Sequence, residues 1–156
     1  MTYPDALTEL IEEFQEIDDK MERLEMVFDL ADEVIPFPHD QWTSESKVQG
    51  CQSEAHVHVE LQDGKILLLS GADAKLVQGL MGILTLAING SAPAQALLLS
   101  PDFAEDMGIE IGKISVELTG TQDLKGFMAL DENIPAGFTN IEGKVFVQSN
   151  ASNSDL

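Results

Sequence analysis

The sequence predicts a mixed domain in which helices pack on a small set of antiparallel strands. Three observations carry that expectation: a long helical stripe near the start, one strong strand-turn-strand pattern, and an almost wholly apolar segment in the middle. Across residues 7–34, Leu7, Leu10, Ile11, Phe14, Ile17, Met21, Leu24, Val27, Phe28 and Ala31 recur at three- and four-residue steps. That spacing is the stripe of an amphipathic helix, one or two in number, with Asp18 and Asp19 as caps where a second helix would begin. Pro36 and Pro38 in "IPFPHD" forbid its continuation and make an extended linker leading to Trp42. The polar stretch over residues 43–50 is a loop, so Cys51 is approached from a loop and stands at the entrance to a strand.

In "EAHVHVELQDGKILLLS", Ala55, Val57, Val59 and Leu61 alternate with Glu54, His56, His58 and Glu60 before Asp63-Gly64, which is a hairpin signal. The alternation assigns the valines to a buried face and both histidines to solvent. The return strand "KILLLS" is apolar on both faces, as expected of a more central strand covered by helices. "ADAKLVQGLMGILTLAING" follows, with Asp73 as the expected cap, a buried central helix, and Asn89-Gly90 as its terminator. Gly79 and Gly82 would each cost that helix about 1 kcal/mol relative to alanine, so they point to close packing against a neighbour. Two short helices are expected near Pro93 and Pro101. Beyond Gly108, "KISVEL" alternates like a strand, "TQDLKGFMAL" reads as a short helix, and a small hairpin is expected around Glu142-Gly143. No internal repeat is visible.

At 156 residues the chain fits one ordinary domain, set at residues 1–148, with 149–156 as a polar tail expected to be disordered. No apolar run reaches the roughly 18 residues that would span a bilayer. The opening "MTYPDALTEL" is neither a basic-then-apolar leader nor an Arg/Ser-rich one, and one cysteine cannot close an intramolecular disulfide; the cytoplasm is the expected location. With 28 acidic against 8 basic residues the net charge is -20, which argues against nucleic-acid and membrane partners. The acidity fits a solvated surface, adaptation to a saline interior, or a patch that steers a basic partner.

Taken alone, Cys51 has three readings. It could be a small buried hydrophobe, an exposed thiol for transfer chemistry, or a metal ligand together with His56 and His58. The polar loop and the glycine before it favour an accessible thiol. Only Lys47 lies near it as a cation, so strong intrinsic activation is not encoded, and such a thiol suits accepting a group from a partner better than hydrolysing a substrate alone. No recognisable cysteine-hydrolase signature surrounds it.

"KVQGCQSEAHV" resembles the active-cysteine segment of the SufE family (SufE and CsdE), sulfur acceptors of iron–sulfur cluster assembly, whose pattern is V-x-G-C-Q-S. The resemblance runs from Leu7 to Leu99: "LIEEFQEIDDKMERLEMVFDLADEVIPFP" is similar to the family's first helices and Pro-containing linker. "LLLSGADAKLVQGLMGILTLAINGSAPAQALLL" is similar to its strand, central helix and following short helix. It implies an α+β fold, a small antiparallel sheet packed with helices, like that of the IscU scaffold proteins. It also implies that Cys51 forms a persulfide, and that Gly50, Gln52 and Ser53 shape its loop.

The implied activity is transpersulfuration. Sulfur passes from a pyridoxal-phosphate cysteine desulfurase (SufS- or CsdA-like) to Cys51 and then to a cluster scaffold (SufBCD-like). The chain would be a carrier and desulfurase activator rather than a stand-alone enzyme, with no metal or cofactor of its own. Three departures stand out: His56 where the family usually has an aromatic residue, Gln122 in "LTGTQDLKGF" where it has an arginine, and no match after Asp131. The alternative is a metal- or cluster-binding scaffold using Cys51, His56 and His58.

Overall fold

The computed structural model describes residues 3–51, 53–100, 102–108, 113–128, 130, 133, 134 and 137–148. The first helical stripe forms two helices, α1 (Asp5–Glu16) and α2 (Lys20–Asp29), followed by a 3-10 turn over Leu30–Glu33. The break falls where the sequence places it: the Asp19 carboxylate accepts from the Met21 and Glu22 amides at 2.8 and 3.0 Å, satisfying donors that the first turn of α2 would otherwise leave open. Leu7, Leu10, Ile11 and Phe14 bury the apolar face of α1.

Strands β1 (Ala55–Gln62) and β2 (Lys65–Ala72) pair antiparallel with Val57 opposite Ser70 and Val59 opposite Leu68. Their two-residue turn has positive φ at both Asp63 and Gly64, the geometry that matches strand twist. The other edge of β2 is covered by two short pieces of chain. The Ser70 amide donates to the Ile35 carbonyl and the Phe37 amide to the Ser70 carbonyl, both at 2.9 Å; further along, the Ile66 amide donates to the Ser91 carbonyl at 2.9 Å. The Pro36 linker is therefore a strip of sheet edge rather than a free spacer, and β2 is central in the sense its two-sided apolar pattern predicts.

Helix α3 (Lys75–Ile88) packs on β2 and against α2 and the 3-10 turn. A Cβ at Gly79 would overlap the Val27 carbonyl, and one at Gly82 the Leu30 carbonyl. Both glycines are the close-packing sites their cost predicts. The helix stops at Asn89, followed by Gly90 at φ +75°. Its start corrects the sequence expectation: Ala74 is the N-cap, with no side-chain cap. The Asp73 amide instead donates to the Glu54 carbonyl at 3.0 Å, which ties the helix entrance to the foot of β1.

Short helices α4 (Pro93–Ala96) and α5 (Phe103–Asp106) follow, then β3 (Lys113–Gln122), α6 (Leu124–Phe127) and β4 (Phe138–Gln148). The small hairpin expected at Glu142-Gly143 does not form. Those residues lie inside β4, opposite Thr119 and Leu118 of β3, because pairing along the whole of β3 outweighs a local turn signal. β4 lies against β1, and its Ile141 joins the core with Val57, Val59, Ile66, Leu68 and Met81. Helices together with small antiparallel sheets make this an α+β fold. Among the described residues no helix is long and apolar enough to cross a membrane. Residues 149–156, expected to be a tail, lie outside the described residues.

Candidate functional site

Cys51 sits on a short loop whose two stems are joined before β1 continues into the hairpin. The Val48 amide donates to the Ala55 carbonyl at 2.8 Å and the Val57 amide to the Ser46 carbonyl at 2.9 Å. Lys47 pairs with His56 in an isolated antiparallel bridge. Only residues 49–54 lie between the joined stems. Gly50, at φ +81°, turns the chain in a conformation that L side chains rarely adopt. Cys51 itself is half-buried and packs at the margin of the apolar core. Ser53 is half-buried on the descending arm. Gln52, the other loop-shaping residue expected from sequence, lies outside the described residues.

A polar clasp spans the base of the loop. Glu54 takes a hydrogen bond and ion pair from Lys47 Nζ at 3.0 Å, with both side chains close to half exposed. Its other carboxylate oxygen lies 2.7 Å from His56 Nε2. These hydrogen bonds, that of His56 first and that of Lys47 second, hold the Glu54 carboxyl below the ordinary glutamate pKa. The sequence leaves Lys47 as the one cation near the thiol. The structure commits its ammonium to Glu54.

His56 corrects the sequence expectation most sharply. Strand alternation assigns it to solvent, yet it is only 3% exposed. Trp42 folds back over the outer face of β1 and stacks on the imidazole, with ring centroids 4.5 Å apart and planes 20° apart. Trp42 is fixed in turn by its indole N–H, which donates to the Phe37 carbonyl at 3.0 Å, and by the His39 ring, which lies against it at 4.4 Å with the planes tilted by 39°. His56 Nδ1 meets Ser46 Oγ at 2.7 Å. An ionised carboxylate only accepts, so Nε2 carries the hydrogen given to Glu54, and in the neutral ring Nδ1 accepts from the Ser46 hydroxyl. If Nδ1 is protonated, the Ser46 hydrogen can turn to the Thr43 carbonyl, 3.0 Å away. Both states of the buried ring are satisfied.

His58 stays half-exposed, stacks on Phe37 at 5.4 Å, and lies 3.7 Å from Glu60. Both ring nitrogens of His56 are thus engaged, and among the described residues no group of three His, Cys, Asp or Glu side chains converges to hold a metal ion. The arrangement does not favour the scaffold reading that joined Cys51, His56 and His58. Sequence reasoning missed Trp42, Ser46 and Glu54 as parts of this site. The available signal was that Glu54 shares the face of His56 at two-residue spacing.

A cleft of about 1040 Å³ opens beside the loop, between the strip over residues 41–49, β1 and β4. Lys47, Glu60, Glu142 and Lys144 give its wall charges of both signs.

Comparison with known proteins places these features in context. The family model for SufE, an Fe-S metabolism associated domain, matches residues 8–129. An uncharacterized SufE-like protein of Synechocystis is 33% identical over 110 residues, covering 70% of this chain and 69% of that one. A SufE-like protein 1, chloroplastic/mitochondrial, from Arabidopsis thaliana is 25% identical over 108 residues, covering 69% of this chain but only 29% of that longer protein. The solution structure of a hypothetical protein from Thermus thermophilus aligns with a TM-score of 0.58 at 26% identity, covering 70% of this chain and 79% of that one.

Proposed function

Because the chain belongs to the SufE family and so to iron–sulfur metabolism, we propose that it carries sulfur on Cys51 between a cysteine desulfurase and a cluster-assembly scaffold. The observation that carries this reading is the placement of the chain's single cysteine at the tip of a closed-stem loop, half-buried and next to a left-handed glycine. A thiol that must receive sulfur from one protein and give it to another needs cover between encounters and a short mobile segment for each encounter.

The transfer balances without an external oxidant or reductant. The desulfurase bears a persulfide, and the Cys51 thiolate attacks its outer sulfur. A sulfur–sulfur bond forms at Cys51 as the original one breaks, the electron pair leaves with the desulfurase cysteine, and the protons of the two thiols are exchanged with solvent. The desulfurase is thereby cleared for another turnover, which is how a carrier stimulates it. A second exchange of the same kind delivers the sulfur to the scaffold. The pyridoxal-phosphate desulfurase is SufS- or CsdA-like and the scaffold SufBCD-like in this reading, with the cytoplasm as the setting. Gly50, Gln52 and Ser53 shape the loop.

The test is an intact mass after incubation with a cysteine desulfurase and cysteine. One added sulfur per chain, abolished by Cys51→Ser, is the expected result. No gain, accompanied by stoichiometric zinc that survives dialysis, would instead support the metal-scaffold alternative.

A further inference from the structure

We infer that His56 is a positioning residue for the Cys51 loop, acting through the Glu54 carboxylate to limit how often the cysteine leaves its half-buried rest. The inference deepens the carrier reading above and rests on it for its biological purpose.

Glu54 is the last residue of the loop, and its side chain joins both stems, reaching Lys47 before the loop and His56 after it, at 3.0 and 2.7 Å. Of these two partners, Lys47 is solvent-exposed and on a flexible stem, so its ion pair is weak and screened. His56 is different. It is buried, stacked on Trp42 and bonded at its other nitrogen to Ser46, so its Nε2–H is aimed at Glu54 before the carboxylate arrives. A preoriented donor to a charged acceptor is the stronger of the two bonds. The Glu54 main chain is held as well, by the Asp73 amide at 3.0 Å. Glu54 is thus held at both backbone and side chain and anchors the descending arm of the loop, so that Cys51, three residues before it, swings further from the core once the side-chain bond to His56 breaks.

The rate at which iodoacetamide alkylates Cys51 in the full chain alone reads this directly, and three substitutions separate the clasp from mere packing. His56→Gln keeps a donor where Nε2 stood; His56→Asn keeps one only where Nδ1 stood, towards Ser46; His56→Phe keeps the stack on Trp42 and loses both bonds. Losing one charge-assisted hydrogen bond is expected to speed alkylation about three- to tenfold in the Asn and Phe variants, with the Gln variant within about twofold of the parent. Parent-like rates in all three would overturn the inference. So would equal acceleration in all three, which would mean that the ring matters only for packing.

Where a His56 variant fails to fold, judged by circular dichroism, Glu54→Ala removes the same clasp from the surface: acceleration supports the inference, an unchanged rate sinks it. Alkylation needs no desulfurase, so a chain that takes up no sulfur would defeat the carrier reading while the clasp is still measured.

Discussion

The indole of Trp42 occupies the space that a side chain at Gly71 would need: a Cβ built on Gly71 would come within 2.7 Å of Trp42 Cζ2 and 3.3 Å of the Phe37 carbonyl oxygen. Gly71 stands opposite His56 across the hairpin, so the bare backbone there lets Trp42 reach the histidine. Gly71→Ala is expected to displace the indole and destabilise the fold by about 1–3 kcal/mol, as overpacking does. Trp42 is the single tryptophan, so a red shift in emission, together with a lower urea midpoint, checks this. An unchanged spectrum would remove Gly71 from the account.

Gly79→Ala sets helix propensity against packing. In an open helix the change gains about 1 kcal/mol. Here the added methyl meets the Val27 carbonyl, and backbone does not yield as a flexible side chain would. A net loss of about 1–3 kcal/mol in denaturant unfolding is expected; a more stable variant would show that α2 can move away from α3 at little cost.

Ser70 makes a prediction of the opposite sign. Both of its backbone polar groups are used at the edge of β2, yet its buried side-chain oxygen has no hydrogen-bond partner among the described residues. Ser70→Ala removes an unsatisfied hydroxyl from the core and is expected to be neutral or up to about 1 kcal/mol stabilising. Destabilisation beyond that range in urea would mean that the hydroxyl has a partner after all.

The clasp also gives a pH signature. Glu54 has a lower pKa in the folded chain than in the unfolded one, where it takes the ordinary glutamate value of 4.5. Its contribution is therefore complete above that value and is lost as pH falls through the lower folded value. The parent chain should lose more stability than Glu54→Gln on going from about pH 5 to about pH 3, the window in which glutamates titrate. Parallel stability curves for the two proteins would show that Glu54 gains nothing from His56 and Lys47.

Much of the fold is legible in local sequence because its signals and its tertiary contacts agree. The Asp63-Gly64 turn sets the register of β1 and β2, Asp19 marks the helix break, and the cost of Gly79 and Gly82 announces the approach of α2 and the turn after it. The failures have a common physical form, in which a distant segment overrides a local pattern. Alternation correctly places His56 on the outer face of β1, but it cannot show that Trp42 covers that face. Glu142-Gly143 carries a turn signal that pairing with β3 outweighs. Asp73 has the chemistry of a cap, but its position is taken up by the bond to Glu54. At the site itself, the motif residues around Cys51 are contiguous and readable, whereas the clasp depends on Ser46 and Trp42 being folded back from upstream.

The bond between Val48 and Ala55 sets a leash on the cysteine. With that stem closed, Cys51 is three residues from its nearer anchor, and three fully extended residues span on the order of 10 Å. A donor or acceptor sulfur buried deeper than that below a partner's surface would be out of range. Any partner must therefore bring its reactive group close to its own surface, or else unzip the stem and give up the pairing that holds Lys47 beside His56.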